Sequence, residues 1–325
     1  MRSEAVTGVR VGPAASVIGR GLAGVRLGSV LATLFAGSVV GAQAQTVQFG
    51  STDATENVLA IDREQVDAFF ELDALKPYFA WKDDLAARTG LSFGLDYTAV
   101  GLRASHSLAD SASGSGIVRL FGSWELVGRG TPDSGALVFK GEHRHGYTSI
   151  PPSGFAIGAT GYAGIFEAPF SDQGWRLTNL FWRQRFNEGR ATVTAGFLDA
   201  TDFVDAFALA SPWTGFNNFA FSTGSATIGL PNDATLGVAG ATMLGENFYV
   251  IAGLTDANAD PTQPFEGFGT FFGDNQYFKS LEVGWTTARE RLIFDNIHVT
   301  GWHTDGSDAF AVNDGWGIGG SASWY

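Results

Sequence analysis

The sequence contains no cysteine among its 325 residues. A chain without thiols has no disulfide scaffold, no cysteine nucleophile and no thiolate ligands for a metal ion. Charged residues are also scarce, at 16%, whereas 44 glycines and 13% aromatic residues are typical of an all-β chain with many turns. The composition therefore argues against a helical bundle and against disorder.

Long apolar runs are almost missing as well. The exception is the 15-residue segment 27–41, which follows Arg26 and precedes Ala-Gln-Ala at 42–44. This order is typical of a secretory signal peptide cleaved after Ala44. The alternative, a transmembrane helix, needs roughly 20 apolar residues. Residues 1–44 are therefore predicted to be a signal peptide.

The remaining sequence carries a large excess of negative charge. Without residues 1–44 it contains 16 basic and 32 acidic residues. This balance disfavours nucleic acid as a partner, because phosphate binding needs a basic face. No other segment approaches the length of a transmembrane helix, so a mature chain that crosses a membrane must do so as a closed β-barrel.

Residues 45–90 differ from the rest of the chain, because their apolar residues have helical spacing. The spacing is carried by Val66, Phe69, Phe70, Leu72 and Leu75. Pro77 is expected to end this run, and Gly90 to end a second short helix. The segment is predicted to be an N-terminal periplasmic helical segment.

From residue 91 onward, apolar and polar residues alternate with a period of two, which predicts strands. Ten strand candidates follow, at about 91–102, 116–128, 136–145, 175–186, 190–198, 234–243, 247–254, 277–286, 291–302 and 315–325. The connections between them alternate strictly between long and short. A soluble sandwich has no reason to sort its loops in this way. The pattern indicates an antiparallel outer-membrane β-barrel, with short periplasmic turns and long external loops.

Aromatic residues near the strand ends fit the interfacial girdles of such a barrel. They are Tyr97, Trp124, Tyr147, Trp175, Trp182, Phe186, Trp285, Trp302 and Trp316.

The longest connection, residues 199–233, contains the segment FVDAFALASPWTGFNNFAF at 203–221. It has neither helical nor strand periodicity, and it is too apolar for a loop in external water. Loops of this length in compact proteins are usually functional. We expect it to fold into the barrel at mid-height and to narrow the lumen, with Trp213 and several phenylalanines packed on the wall.

Several segments resemble the carbohydrate-selective porin family of Gram-negative outer membranes. The longest continuous resemblance lies between residues 180 and 260, from LFWRQRFNEGRATVTAGFLDATDFVDAF to LGENFYVIAGLTDANADP. Shorter ones are LSFGLDYTAVG, RLFGSWELVGRG, FKGEHRHGYTSIPP and FDNIHVTGWHTD, so that about residues 80–325 are covered. The resemblance implies a sugar-permeable porin with an inward-folded constriction loop, and residues 203–221 fall where that loop would be.

The strand count departs from this family, whose members usually form a sixteen-stranded barrel. An eight-stranded barrel is filled by its own side chains. Ten strands could hardly enclose a folded-in loop of 35 residues and still conduct. Residues 91–325 are therefore predicted to be a porin barrel that is incomplete, with C-terminal truncation of the chain.

Candidate lumen residues follow from the period of two. If Leu137 and Phe139 face lipid, then Lys140, Glu142 and Arg144 face the lumen. Three further arginines are expected to face the lumen, as solvated wall or as part of the constriction: Arg119, Arg183 and Arg185.

Two aspartates of the loop, Asp202 and Asp205, have two interpretations. Either they cap short helical turns within the loop, or they line the constriction and accept hydrogen bonds from sugar hydroxyls. The sequence leaves both open.

No metal site or cofactor is predicted. His143 and His145 have the spacing of a metal-binding pair, but no third ligand is evident, so interface histidines are favoured. The Asp-Ala-Asn-Ala-Asp segment at 256–260 resembles a calcium loop, but Pro261 and Gly267 stand where that loop needs glycine and glutamate. An ordinary external loop is favoured there.

The predicted function is passive, carbohydrate-selective diffusion of sugars and small solutes across the outer membrane, without enzymatic activity. No G-x-S-x-G, H-E-x-x-H or post-strand G-x-G-x-x-G motif occurs. Two alternatives stay open: a general cation-preferring porin, and a barrel enzyme acting on envelope lipid or glycan. The expected partners are outer-membrane lipid, lipopolysaccharide and transported sugars, and association into a homo-oligomer stays open.

Overall fold

The computed structural model describes residues 49–64, 73–213, 215–222, 228–307 and 313–324, with side chains from 49–60 and from residue 74 onward. The predicted signal peptide lies outside these residues. So do Val66, Phe69, Phe70 and Leu72, four of the five residues on which the predicted helical spacing rests.

In the described part of the chain before β-structure begins, there are two α-helices. Helix α1 is Thr55–Glu64, and α2 is Lys76–Thr89. Pro77 lies in the first turn of α2, where its missing N–H is not needed, so it begins this helix. Gly90 ends α2 with a φ of 79°, a left-handed conformation that glycine adopts without strain. None of the described helices is long and apolar enough to cross a bilayer.

Ten antiparallel strands follow. They are β1 (Leu91–Arg103), β2 (Ala112–Val127), β3 (Gly135–Gly146), β4 (Gly174–Phe186), β5 (Ala191–Leu198), β6 (Thr235–Leu244), β7 (Phe248–Asp256), β8 (Tyr277–Thr286), β9 (Asn296–Thr304) and β10 (Gly315–Ser323). Each strand pairs with the next one along the chain, which gives a single open sheet with β1 and β10 at its edges.

The connections alternate between the two ends of the sheet, but their lengths are less strictly sorted than predicted, because 104–111 has eight residues and 287–295 has nine. At one end of the strands, which we call the long-loop end, five connections join neighbouring strands: 104–111, 147–173, 199–234, 257–276 and 305–314. At the opposite end, the short-turn end, four connections join neighbouring strands: 128–134, 187–190, 245–247 and 287–295. The prediction of ten antiparallel strands is confirmed.

The two faces of the sheet differ in chemistry. The outer face carries apolar side chains about half exposed, which suits contact with lipid acyl chains. They include Leu95, Leu120, Leu281, Val283, Ile297, Val299 and Ile318. The inner face carries buried charged residues such as Lys140, Glu142 and Arg183, and other segments of the chain pack against it.

Two local predictions were wrong. Strand β9 begins at residue 296 because residues 289–291 form a 3-10 turn, and the buried Leu292 and Ile293 follow it before pairing starts. Trp302 shares a strand face with the buried His298 and Thr300, so it packs inward rather than joining an outer girdle. Its partners lie in the connection after β5.

Part of the segment predicted to be periplasmic lies against the inner face of the sheet. The Ser51 N–H donates to the carbonyl of Asp202 over 2.7 Å, and Glu56 pairs with Arg183 of β4. The sequence pattern of residues 45–90 gave no sign of these contacts.

Candidate functional site

The connection after β5 starts with a short 3-10 turn, Ala200–Asp202. Asp199 caps it by accepting hydrogen bonds from the N–H and the hydroxyl of Thr201, over 2.9 and 2.6 Å. Capping was one of the two interpretations left open for Asp202 and Asp205, but the residue that caps this turn is Asp199. Ala200 and Val204 are buried against Phe278 and Trp302, which holds the start of this connection on the inner wall.

Asp205 fixes the next part of the connection to two strands. Its carboxylate lies 2.7 Å from His298 Nε2, and its N–H donates to Glu282 Oε2 over 3.0 Å. Glu282 in turn accepts from the hydroxyls of Tyr249 and Thr300, over 3.1 and 2.8 Å. These contacts let Asp205 hold a left-handed φ of 50°, which a non-glycine residue adopts only where its surroundings favour it.

Asp202 is anchored on the other side of the connection. Its carboxylate lies 3.9 Å from Lys140 Nζ and accepts a hydrogen bond from the side-chain amide of Asn179 over 3.2 Å. Burial raises the pKa of Asp202, and the charge of Lys140 opposes that rise. Both aspartates thus bind the wall instead of projecting freely into the lumen.

Trp213 packs close to the β1–β2 edge of the sheet. The guanidinium of Arg119 lies 4.1 Å from the centre of its ring, within the range of a cation–π contact. Arg119 is itself held by Asp96 of β1 through two nitrogen donors, over 2.5 and 3.1 Å. On its other side, Trp213 contacts Phe170 of the 147–173 loop, with ring centres 5.4 Å apart.

The 147–173 loop and the 199–234 connection are joined to each other. Phe166 and Asn218 form an isolated antiparallel bridge, and the N–H of Glu167 donates to the carbonyl of Asn217 over 2.8 Å. Burial raises the pKa of Glu167 to about 7. Both connections therefore cover the same part of the inner face.

The described part of the 199–234 connection is less buried toward its tip. Phe203 packs against the wall, whereas Phe216 and Phe221 remain more than half exposed and contact each other at 5.3 Å between ring centres. The expectation that the phenylalanines pack on the wall thus holds for only some of them.

A second group of charges lies toward the long-loop end. Arg144 is 2.6 Å from Glu142 and 3.5 Å from Asp233, and Arg176 also pairs with Asp233. Burial opposes the ionisation of Asp233, but the two arginines outweigh it and lower its pKa.

The predicted site residues therefore divide into groups. Three pairs lie on the inner face near β2 and β3: Arg119 with Trp213, Lys140 with Asp202, and Glu142 with Arg144. Asp205 instead contacts His298 of β9 and Glu282 of β8. Arg183 and Arg185 lie nearer the short-turn end and pair with Glu56 instead.

Sequence reasoning missed several residues of this site. Arg176 was missed because β4 contains a bulge at Thr178, which has no partner on β3. The extra residue shifts the alternation, so that residues before the bulge occupy the opposite face from the one that counting by twos predicts. Counting by twos from Arg183 puts Arg176 on the wrong face. Glu282 and His298 could have been found by alternation, since each stands between apolar outer-face residues. Asp233 lies outside the strands and gave no signal.

Comparison with known proteins agrees with this geometry. The model of the family described as carbohydrate-selective porin, OprB family, matches residues 84–320, which is well over half of the chain. The chain belongs to this family. Membership places this OprB-family chain in the outer membrane of a Gram-negative bacterium.

A solved structure supports the fold. The high-pH structure of Pseudomonas putida OprB superimposes with a TM-score of 0.51 at 16% sequence identity, over 73% of this chain and 58% of that one. The chain thus spans less than two thirds of the solved porin. No curated protein sequence matches the chain.

Proposed function

We propose that the chain forms the wall and constriction of an outer-membrane channel for passive, carbohydrate-selective diffusion of sugars and small solutes. The observation that carries this proposal is the packing of residues 199–213 on the inner face through Lys140, His298 and Arg119. An inward-folded connection held in this way narrows the space that the wall encloses.

The chemistry of the covered face suits a neutral polyol. Carboxylates of this face that keep some exposure, such as Asp96 and Asp233 with side chains 22% and 23% exposed, offer hydrogen-bond acceptors to hydroxyl groups. The half-exposed rings of Phe216 and Phe221 offer an apolar surface to the C–H faces of a sugar ring. Paired charges of both signs leave little net field to favour an ion.

The general cation-preferring porin remains the second candidate, favoured by the excess of 32 acidic over 16 basic residues after position 44. The inner face argues against a strong preference, because Arg119, Lys140, Arg144, Arg176, Arg183 and Arg185 all lie on it. Family membership also argues for a channel and against an envelope enzyme. His298 pairs with Asp205, but its Nδ1 has no hydrogen-bond partner among the described residues, so no serine completes a catalytic triad there.

Liposome swelling tests the proposal. We expect proteoliposomes to admit glucose faster than an amino acid of similar size, and larger sugars more slowly than glucose. Equal rates for glucose and the amino acid would remove the sugar selectivity but keep the porin. Cation selectivity in bilayer reversal potentials, together with equal solute rates, would support the second candidate.

A further inference from the structure

The segment that precedes the strands crosses the inner face of the sheet. Phe49 packs with the cluster of Met243, Tyr249 and Ile251 on β6 and β7. Seven residues later, Glu56 reaches Ser123 of β2, accepting its hydroxyl over 3.1 Å. Residues 49–60, which we call the N-terminal strap, therefore extend across several strands of the wall.

One end of the strap is fixed by a buried ion pair. Glu56 accepts from Arg183 Nη2 over 2.6 Å and from Nε over 3.1 Å, which is a two-point contact on a fixed guanidinium plane. Arg185 approaches the same carboxylate at 3.4 Å. Arg183 is only 1% exposed, so removing Glu56 leaves a buried cation with a poor set of partners.

The other end of the strap contacts the 199–234 connection directly. Ser51 donates its N–H to the carbonyl of Asp202, and Ser211 donates its hydroxyl to Asp53 over 2.6 Å. The Lys140 ammonium also approaches the carbonyl of Asp53, at 3.4 Å. The strap thus touches the connection at two points nine residues apart and shares Lys140 with it.

Packing between the strap and the wall is incomplete. A cavity of about 70 Å³ lies between them and is lined by Thr55, Asn179 and Asp199 among others. The Thr55 hydroxyl and the Asn179 carbonyl oxygen are buried without a hydrogen-bond partner. The strap is therefore held by its polar anchors more than by a continuous apolar core.

We propose that the N-terminal strap is a second element of the constriction, with Glu56 as the positioning residue that holds it. The strap occupies lumen on the short-turn side of the 199–234 connection and supports that connection at Asp202 and Ser211. The size limit of the channel is then set by both segments together. This proposal rests on the proposed channel function.

The first test is Glu56→Gln in the full-length protein, reconstituted in planar bilayers. Glutamine keeps the size of the side chain but removes the charge that pairs with Arg183 and Arg185. We expect a higher single-channel conductance and faster swelling with sugars that the wild type excludes. Glu246→Gln is the matched control, since its side chain is 84% exposed and, among the described residues, its ion pair is with Arg190 of the neighbouring turn.

A reversible disulfide distinguishes an effect of the strap's position on conductance from a general loss of protein stability. The chain has no cysteine, so Asp53→Cys with Ser211→Cys introduces a single pair at a point where the native side chains are in contact. Oxidation of this pair in the Glu56→Gln background should restore the wild-type conductance, and reduction should abolish the restoration. Failure of the oxidised pair to restore it would overturn the strap as the cause.

A third measurement serves if Glu56→Gln does not fold. Asp53→Cys alone, modified with a bulky thiol reagent, should change the conductance, because residue 53 joins the strap to the 199–234 connection at Ser211. An unchanged conductance after complete modification would contradict the proposal. A wild-type protein that forms no channel at all would instead contradict the proposed function, so the two failures are distinguishable.

Discussion

Charged residues of the inner face pair mainly across segments that are distant in sequence. Asp205 and His298 are 93 residues apart, and Arg183 and Glu56 are 127 residues apart. Such pairs add little where water screens them, but a buried partner left alone is costly. At this scale, Asp202 and Asp205, for which the sequence left capping and sugar contact open, position the segment that carries them.

Asp205 provides a direct test. Asp205→Ala removes the partner of His298 Nε2, and we expect a loss of stability of roughly 1–3 kcal/mol because a buried polar group stays unpaired. Thermal unfolding in detergent measures it. The control is Asp260→Ala, because that carboxylate caps only its own turn at Thr262. Equal melting temperatures for both variants would contradict the anchoring role.

The raised pKa of Asp53 predicts that the stability of the strap's packing on the wall depends on pH. Burial raises its pKa from 3.8 to about 6, although Ser211, Lys140 and Arg119 lower it and Asp202 raises it further. Because the folded-state pKa is raised, the packed strap is most stable below about pH 4 and loses stability as the pH rises through 6. For Glu56, burial opposes the charge, but Arg183 and Arg185 together lower its pKa.

We therefore expect a lower conductance at about pH 4.5 than at about pH 7.5, measured in the same channel. Asp53→Asn, which carries no charge at either pH, should reduce the difference. A pH response of the same size in this variant would assign the effect to other groups that face the strap.

At the scale of elements, the 199–234 connection and the strap form one packed unit on the wall. Deleting residues 206–218 removes Trp213 and Ser211 together, and with them the contacts to Arg119 and Asp53. We expect single-channel conductance to rise several-fold and the preference among sugars to disappear. Deletion of 267–273 is a suitable control, because this helical turn belongs to a different long connection, 257–276. Its Phe268 packs on Phe197 of β5. If both deletions behave alike, the connection is not the constriction.

The whole molecule depends on a bilayer, because its outer face carries half-exposed leucine, valine and isoleucine. The cost of a charge on such a face depends on depth, at roughly 2–4 kcal/mol near the midplane and about 0–1 near the interface. Leu281 lies in the middle of β8 and Leu244 at the end of β6, with exposed fractions of 54% and 52%. We expect Leu281→Lys to reduce outer-membrane assembly strongly and Leu244→Lys only slightly. Heat-modifiable migration in native gels measures this, and equal effects would argue against a membrane-embedded sheet.

The sequence by itself determined the strands and their order. Alternation such as that around Lys140, Glu142 and Arg144 is local, and it fixes which side chains share a face once the strand is known. Sorting of the connections by length is also visible in the sequence, so the antiparallel wall and its two ends followed without coordinates. The family resemblance then pointed to the connection after β5 as the inward-folded segment.

The tertiary structure alone decided what that connection touches and what lies beside it. The contacts of Asp202, Asp205 and Glu56 join residues from 23 to 151 positions apart, and neither local periodicity nor capping preference contains that information. The bulge at Thr178 likewise changes faces without a sequence signal. The physical reason is that strand patterns record only whether a residue faces the lumen or the lipid. Which luminal charges meet is decided by how the segments pack across the enclosed face.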